Sequence, residues 1–145
     1  MRKNFAILML ICMCGRGERS ADLVSNHGVE YRFESGVAQW EISEINVTED
    51  DFISCVTATT DYSSEQVNQA MSIASVYVFP DKFPCLSSPS GYCNGAENFE
   101  KLSVRNFGSP KSSDVAHEVA HWLELLTRNI TDYDHKLEPN LWKCT

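Results

Sequence analysis

The chain has 145 residues, of which 43% are hydrophobic and 22% charged; this is ordinary globular composition on a length that suits one domain with one modest core and leaves no room for a second catalytic domain. Its formal charge is -8, from 12 basic and 20 acidic residues, and the basic residues do not cluster beyond the first segment. A phosphate backbone would be repelled, which argues against a nucleic-acid partner, whereas a cationic peptide is electrostatically reasonable.

Arg2 and Lys3 precede an apolar run from Phe5 to Cys14, and the polar segment Gly15 to Ser20 follows. The run is too short for an ordinary membrane span, so residues 1–14 read as an export signal. Cys12 or Cys14 as a lipid-bearing cysteine is an alternative, although Ile11 and Met13 stand where a small residue is expected before a cleavage point. Membrane association is expected only through such an N-terminal lipid. Residues 15–27 read as a linker and residues 28–145 as the folded domain.

Within that domain Val29, Tyr31 and Phe33 alternate over Gly28 to Ser35, a strand pattern. Gln39 to Val47 reads as a second, loosely patterned strand, and Asp50 to Thr60 as a short helix or the continuation of that strand. Over Asp61 to Ile73 a helix is predicted, capped by Ser63 or Ser64, with Val67, Ala70, Met71 and Ala74 on its apolar side. Ser75 to Phe79 is a strand stopped by Pro80, and Asp81 to Gly95 is turn-rich. Glu100 to Asn106 offers a short strand; Leu102 to Arg105 is a candidate edge on which an extended peptide could lie. A long, largely buried helix is predicted from Pro110–Ser113 to about Arg128, apolar nearly all round. A polar exit follows from Asn129 to His135, then a final turn from Leu137 to Trp142 broken by Pro139. The order strand, helix, strand, short strand, long helix implies a small α+β domain with a mixed sheet packed on the long helix.

Past the leader, four cysteines remain: Cys55, Cys85, Cys93 and Cys144. An even number in a small exported chain favours two disulfides, and sequence alone admits three pairings. A Cys85–Cys93 bridge would close a small loop, leaving Cys55 and Cys144 to tie the body to the C-terminus. Asn46-Val47-Thr48 and Asn129-Ile130-Thr131 match the glycosylation acceptor pattern, which matters only in a host that makes the modification.

The chemical signal is His117-Glu118-Val119-Ala120-His121 on the long helix. Residues four apart share one helix face, so both imidazoles can reach one zinc ion, with Glu118 beside it as a base for an activated water. The chain has 4 histidines, and two of them fall at this offset around a glutamate. Such titratable groups on an apolar helix would be costly to bury without a partner. A third ligand is needed, and His135, fourteen residues on in sequence, is the choice, with Asp132, Asp134 and Glu138 as carboxylate rivals; His27 is too isolated. Asp132 or Asp134 can orient a ligand imidazole, and Tyr133 can donate to an oxyanion.

Through His117-Glu118-Val119-Ala120-His121 the chain resembles the zincin metallopeptidases, and more loosely small uncharacterised bacterial secreted or lipoprotein metallopeptidases. The layout around the motif is similar from residue 28 to 142. That resemblance implies a zincin-like fold with substrate along an edge strand, and it supports Asp132, Asp134, His135 and Trp142 as the acidic segment, histidine and tryptophan that follow the motif. The sequence departs from the metzincin pattern, since Glu124 and Thr127 occupy its glycine and third-histidine positions. The implied function is zinc-dependent hydrolysis of peptide bonds in a peptide or protein substrate by a monomeric, exported enzyme, whether secreted, periplasmic or envelope-attached. The alternatives are a non-catalytic exported zinc-binding or envelope interaction protein and a disulfide-stabilised inhibitor without metal.

Overall fold

A computed structural model describes residues 19–85, 88–97, 101–132 and 134–145. Residues 1–14, expected to be an export signal, and Tyr133 lie outside the described residues. The described chain is α+β, as the order of elements implies. Its elements are β1 (Leu23–Val24), β2 (Glu30–Phe33), α1 (Ile42–Thr59), α2 (Ser64–Ser72), β3 (Ser75–Phe79), β4 (Phe83–Pro84), β5 (Tyr92–Cys93), β6 (Gly95–Glu97), β7 (Leu102–Arg105), α3 (Val115–Arg128) and α4 (Pro139–Trp142).

The main sheet is mixed, with strand order β1-β2-β3-β7-β6. β2, β3 and β7 run parallel at its centre, and β1 and β6 are antiparallel to their neighbours. Alternation along the strands sends Tyr31, Phe33, Val76, Val78, Leu102 and Val104 into one buried cluster with the apolar sides of α1, α2 and α3. β7 is therefore an interior strand, paired with β3 on one side and β6 on the other. The expectation that Leu102 to Arg105 forms an accessible edge is corrected: β6, drawn from the end of the turn-rich segment, takes that place.

Further corrections fall near the N-terminus. Residues read as linker contain β1, whose Leu23 and Val24 pair with Tyr31 and Glu30. The turn into β2 passes through Gly28 at φ +86, where a Cβ would crowd the Ser72 backbone. The predicted strand over Gln39 to Val47 is instead the approach to and first turns of α1, an 18-residue helix. Its buried positions are Ile45, Glu49, Phe52 and Val56, spaced as one helical face. Glu49 interrupts that stripe as an acid in the sequence, which hides the period. In the fold it is 2% exposed and accepts a hydrogen bond from the Tyr31 hydroxyl at 2.7 Å. Trp40 leads into the helix and packs edge-on against Phe33 and Tyr31.

Local signals perform better in the middle of the chain. Ser63 caps α2 with a reciprocal capping box, its hydroxyl accepting from the Gln66 N–H and the Gln66 side chain accepting from the Ser63 N–H. α3 starts at Val115 rather than at Pro110–Ser113, because the buried Ser113 hydroxyl accepts from the Phe107 N–H at 2.8 Å instead of capping the helix. Its end at Arg128 is as expected, closed by Asn129 in the left-handed region. Pro139 starts α4 at its first turn instead of breaking it. Both disulfides form, Cys55–Cys144 and Cys85–Cys93.

Tyr31→Phe is expected to lower unfolding free energy by about 1–3 kcal/mol, because it removes one of the hydroxyl partners of the buried Glu49 carboxyl. Urea denaturation of the two proteins measures the difference; equal midpoints would show that the bond contributes nothing net.

Candidate metal centre

α3 is amphipathic in an unusual sense: Val115, Val119, Ala120, Trp122, Leu123 and Leu125 are all buried, yet His121, Glu118 and Glu124 are buried with them. Trp122 anchors the helix to α2 by donating its indole N–H to the Ala70 carbonyl at 3.0 Å. With the helix so fixed, His117 and His121 lie one turn apart on one face, their ring centroids 4.9 Å apart.

The chain leaves α3 through Asn129 and returns over the same face. His135 sits on that return at φ +55, its N–H donating to the Asp132 carbonyl at 3.1 Å. Its ring lies 4.8 Å from His117 and 5.2 Å from His121 between centroids. One nitrogen from each of the three imidazoles lies within 4.8 Å of the others. The Nε2 atoms of His121 and His135 are 3.4 Å apart. Tetrahedral zinc with Zn–N bonds of about 2.0–2.1 Å sets nitrogens roughly 3.3 Å from one another, so this edge of the triangle already has zinc dimensions. Among the described residues the cluster offers three protein nitrogens; three protein ligands plus water is the usual pattern of catalytic zinc sites.

Electrostatics favour the ligand form of His117 and His121. Burial lowers the His117 pKa, as does the His135 charge. Burial, His117 and His135 bring His121 down to about 4. Neutral imidazoles are what a metal ion requires. Glu118 is 5% exposed, and burial, with the nearby Glu97 and Asp114 charges, raises its pKa to about 8. A cation among the imidazoles acts in the opposite direction and favours its carboxylate.

The rival ligands are engaged elsewhere. Asp134 pairs with Lys136 at 2.9 Å, Glu138 with Arg128 at 3.3 Å, and His27 with Asp50 of α1 at 2.6 Å. Asp132 shapes the loop that carries His135. Its Oδ2 accepts from the Leu137 N–H at 2.8 Å and from the Trp142 indole N–H at 3.3 Å. Burial pushes this carboxyl up, but the Leu137, Lys136 and Trp142 hydrogen bonds and the His135 charge outweigh it and hold the group below its usual range.

Sequence reasoning missed Gly95 and Glu97. β6 passes so close to α3 that a Cβ on Gly95 would overlap the Glu118 carboxylate. Glu97, half-buried on the same strand, raises the Glu118 pKa by charge repulsion. Neither position carries a sequence signal, because both matter only once β6 lies beside the helix. On another side of the centre a cleft of about 280 Å³ opens beside His117, between α1, the turn before α3 and the C-terminal residues. Comparison with known protein families, characterised proteins and solved structures finds no match.

His135→Ala is expected to weaken Zn2+ binding by more than the roughly 10–100-fold that loss of an outer-shell partner costs, while His27→Ala leaves it unchanged. Competition against a chromophoric chelator measures both. Equal affinity in the wild type and His135→Ala would remove His135 from the site.

Proposed function

We propose that the chain is an exported zinc-dependent peptidase, with His117, His121 and His135 holding the ion and Glu118 as general base. The observation that carries this reading is the convergence of three imidazole nitrogens within 4.8 Å, on a face that adjoins the buried Glu118. The donor set suits zinc, since imidazole nitrogens at this spacing need little rearrangement to share one tetrahedral ion. When bound, the ion supplies Lewis acidity toward water and toward a peptide carbonyl.

The protein's own groups supply the rest. Glu118 accepts a proton from the attacking water and passes it to the amine that leaves. Its enclosure between α3 and β6 limits its rotamers and keeps bulk water from competing for the proton. β6 is the outer strand on the Glu118 side of the sheet. Among the described residues it pairs on one side only, and such an edge suits an extended peptide laid down as an additional strand, with main-chain hydrogen bonds giving affinity. The two disulfides support an oxidising destination, whether secreted, periplasmic or envelope-attached. A net charge of -8 favours cationic over anionic peptides in the encounter.

Zinc content and peptide hydrolysis, measured on the wild type and Glu118→Gln, test the proposal. Both are expected to carry equimolar zinc, with hydrolysis reduced by about 10²–10⁴-fold in Glu118→Gln. Zinc without hydrolysis in the wild type supports instead a non-catalytic exported zinc-binding or interaction protein. Absence of zinc from both rejects either metal reading.

Gly95→Ala is expected to keep zinc and lose turnover, because the three atoms nearest the added methyl all belong to the Glu118 side chain, which it displaces. Retained turnover would show that Glu118 has room to relax.

A further inference from the structure

His117 and His121 are held in register by α3, but His135 is not. It stands on a loop at φ +55, a left-handed conformation uncommon for a residue with a Cβ. Among the rings packed around its imidazole, that of Trp142 is the nearest. Its indole lies 4.1 Å from the His135 ring, tilted by 34°, and 4.6 Å and 5.4 Å from His121 and His117. A single side chain thus faces all three imidazoles.

The indole is itself fixed from two directions. Its N–H donates to Asp132 Oδ2, the same oxygen that accepts the Leu137 N–H. Trp142 and His135 are therefore tied to one carboxylate, one directly and the other through the loop. Leu141, beside Trp142, is fully buried, and Cys144, two residues on, is bonded to Cys55 of α1. The C-terminal turn is consequently part of the rigid body rather than a loose end.

We propose that Trp142 is a positioning residue of the metal centre: its indole fixes His135 against His117 and His121 and so sets the affinity and coordination geometry of the ion. This rests on the metal-binding reading given above. A residue that only packs the core would affect folding stability; one that places a ligand also changes the ligand field. The half-buried position of Trp142, against the rings rather than deep in the core, fits the second role.

The test uses the intact chain with Zn2+ and Co2+ as probes. Zn2+ affinity is measured by chelator competition, coordination by the visible absorption of the Co2+ form, and folding by circular dichroism of the metal-free protein. Trp142→Ala is expected to bind Zn2+ roughly 10–100-fold more weakly, the cost typical of losing an outer-shell partner, with an altered Co2+ spectrum. Trp142→Phe keeps a ring against His135 but lacks the bond to Asp132, and is expected to fall between the wild type and Trp142→Ala. Where the alanine variant does not fold, the phenylalanine variant decides by the same two readings. Variants that bind Zn2+ as tightly as wild type with an unchanged Co2+ spectrum overturn the proposal. A wild-type chain that takes up neither ion overturns the metal-centre reading, and this inference with it.

Discussion

The close approach of β6 to α3 is the constraint on which the rest of the structure depends. α3 has almost no solvent face along its first three turns, and it carries two of the three candidate ligands and the candidate base on that same stretch. It therefore has to be packed on several sides while keeping a polar strip open. Core residues from β3 and β7 and the Trp122 bond to Ala70 seat the apolar side. Gly95 then lets β6 come down beside Glu118 without filling the space its carboxylate occupies. A larger residue there would force the strand outward or the glutamate aside, and the parts of the proposed site would no longer share one face.

A second constraint closes the molecule from its far end. The Cys55–Cys144 bridge spans a sequence separation of 89. In the chain-entropy account such a loop is worth roughly 4–5 kcal/mol through the unfolded state, a large share of the stability of a domain this size. Its local effect is equally important. It fastens the C-terminal turn to α1, which brings Trp142 and the Asp132 loop against the histidines. The second bridge, Cys85–Cys93, ties together the segment from which β6 emerges. One disulfide thus supports each side of the histidine face.

Burial of acids is the recurring electrostatic feature. Glu49, Glu118 and Glu124 are each 5% exposed or less. Burial raises the pKa of all three, Glu124 to about 7 with Asp132 adding to the effect. Desolvation disfavours a charged carboxylate, so each needs a partner or a proton. For Glu49 the partners are the Tyr31 and Ser25 hydroxyls. For Glu118 the proposed cation meets the same need, which links the cost of burying the group to the chemistry assigned to it. Glu124 shows why the histidine face is not extended by a further acid: it lies one turn beyond His121 but outside the three-imidazole cluster.

The sequence by itself determined what depends on neighbours along the chain. The i, i+4 spacing places His117 and His121 together on any helix, and the Ser63–Gln66 capping box starts α2 without help from elsewhere. Alternating residues mark β2, a β-branched and aromatic run marks β3, and a short spacing marks the Cys85–Cys93 loop. His135 was legible as a candidate because the polar exit is long enough to return to the helix. Tertiary structure alone decided the rest. Glu49 reads as a break in the pattern until Tyr31 is placed against it, so α1 was mistaken for a strand over its first turns. β6 has only three residues and no hydrophobic period, and its role as outer strand exists only because β7 pairs on both sides. Gly95 beside Glu118, and Trp142 across the three imidazoles, join segments far apart in the chain. No periodicity records such contacts, because they follow from how the elements pack and not from how each one forms.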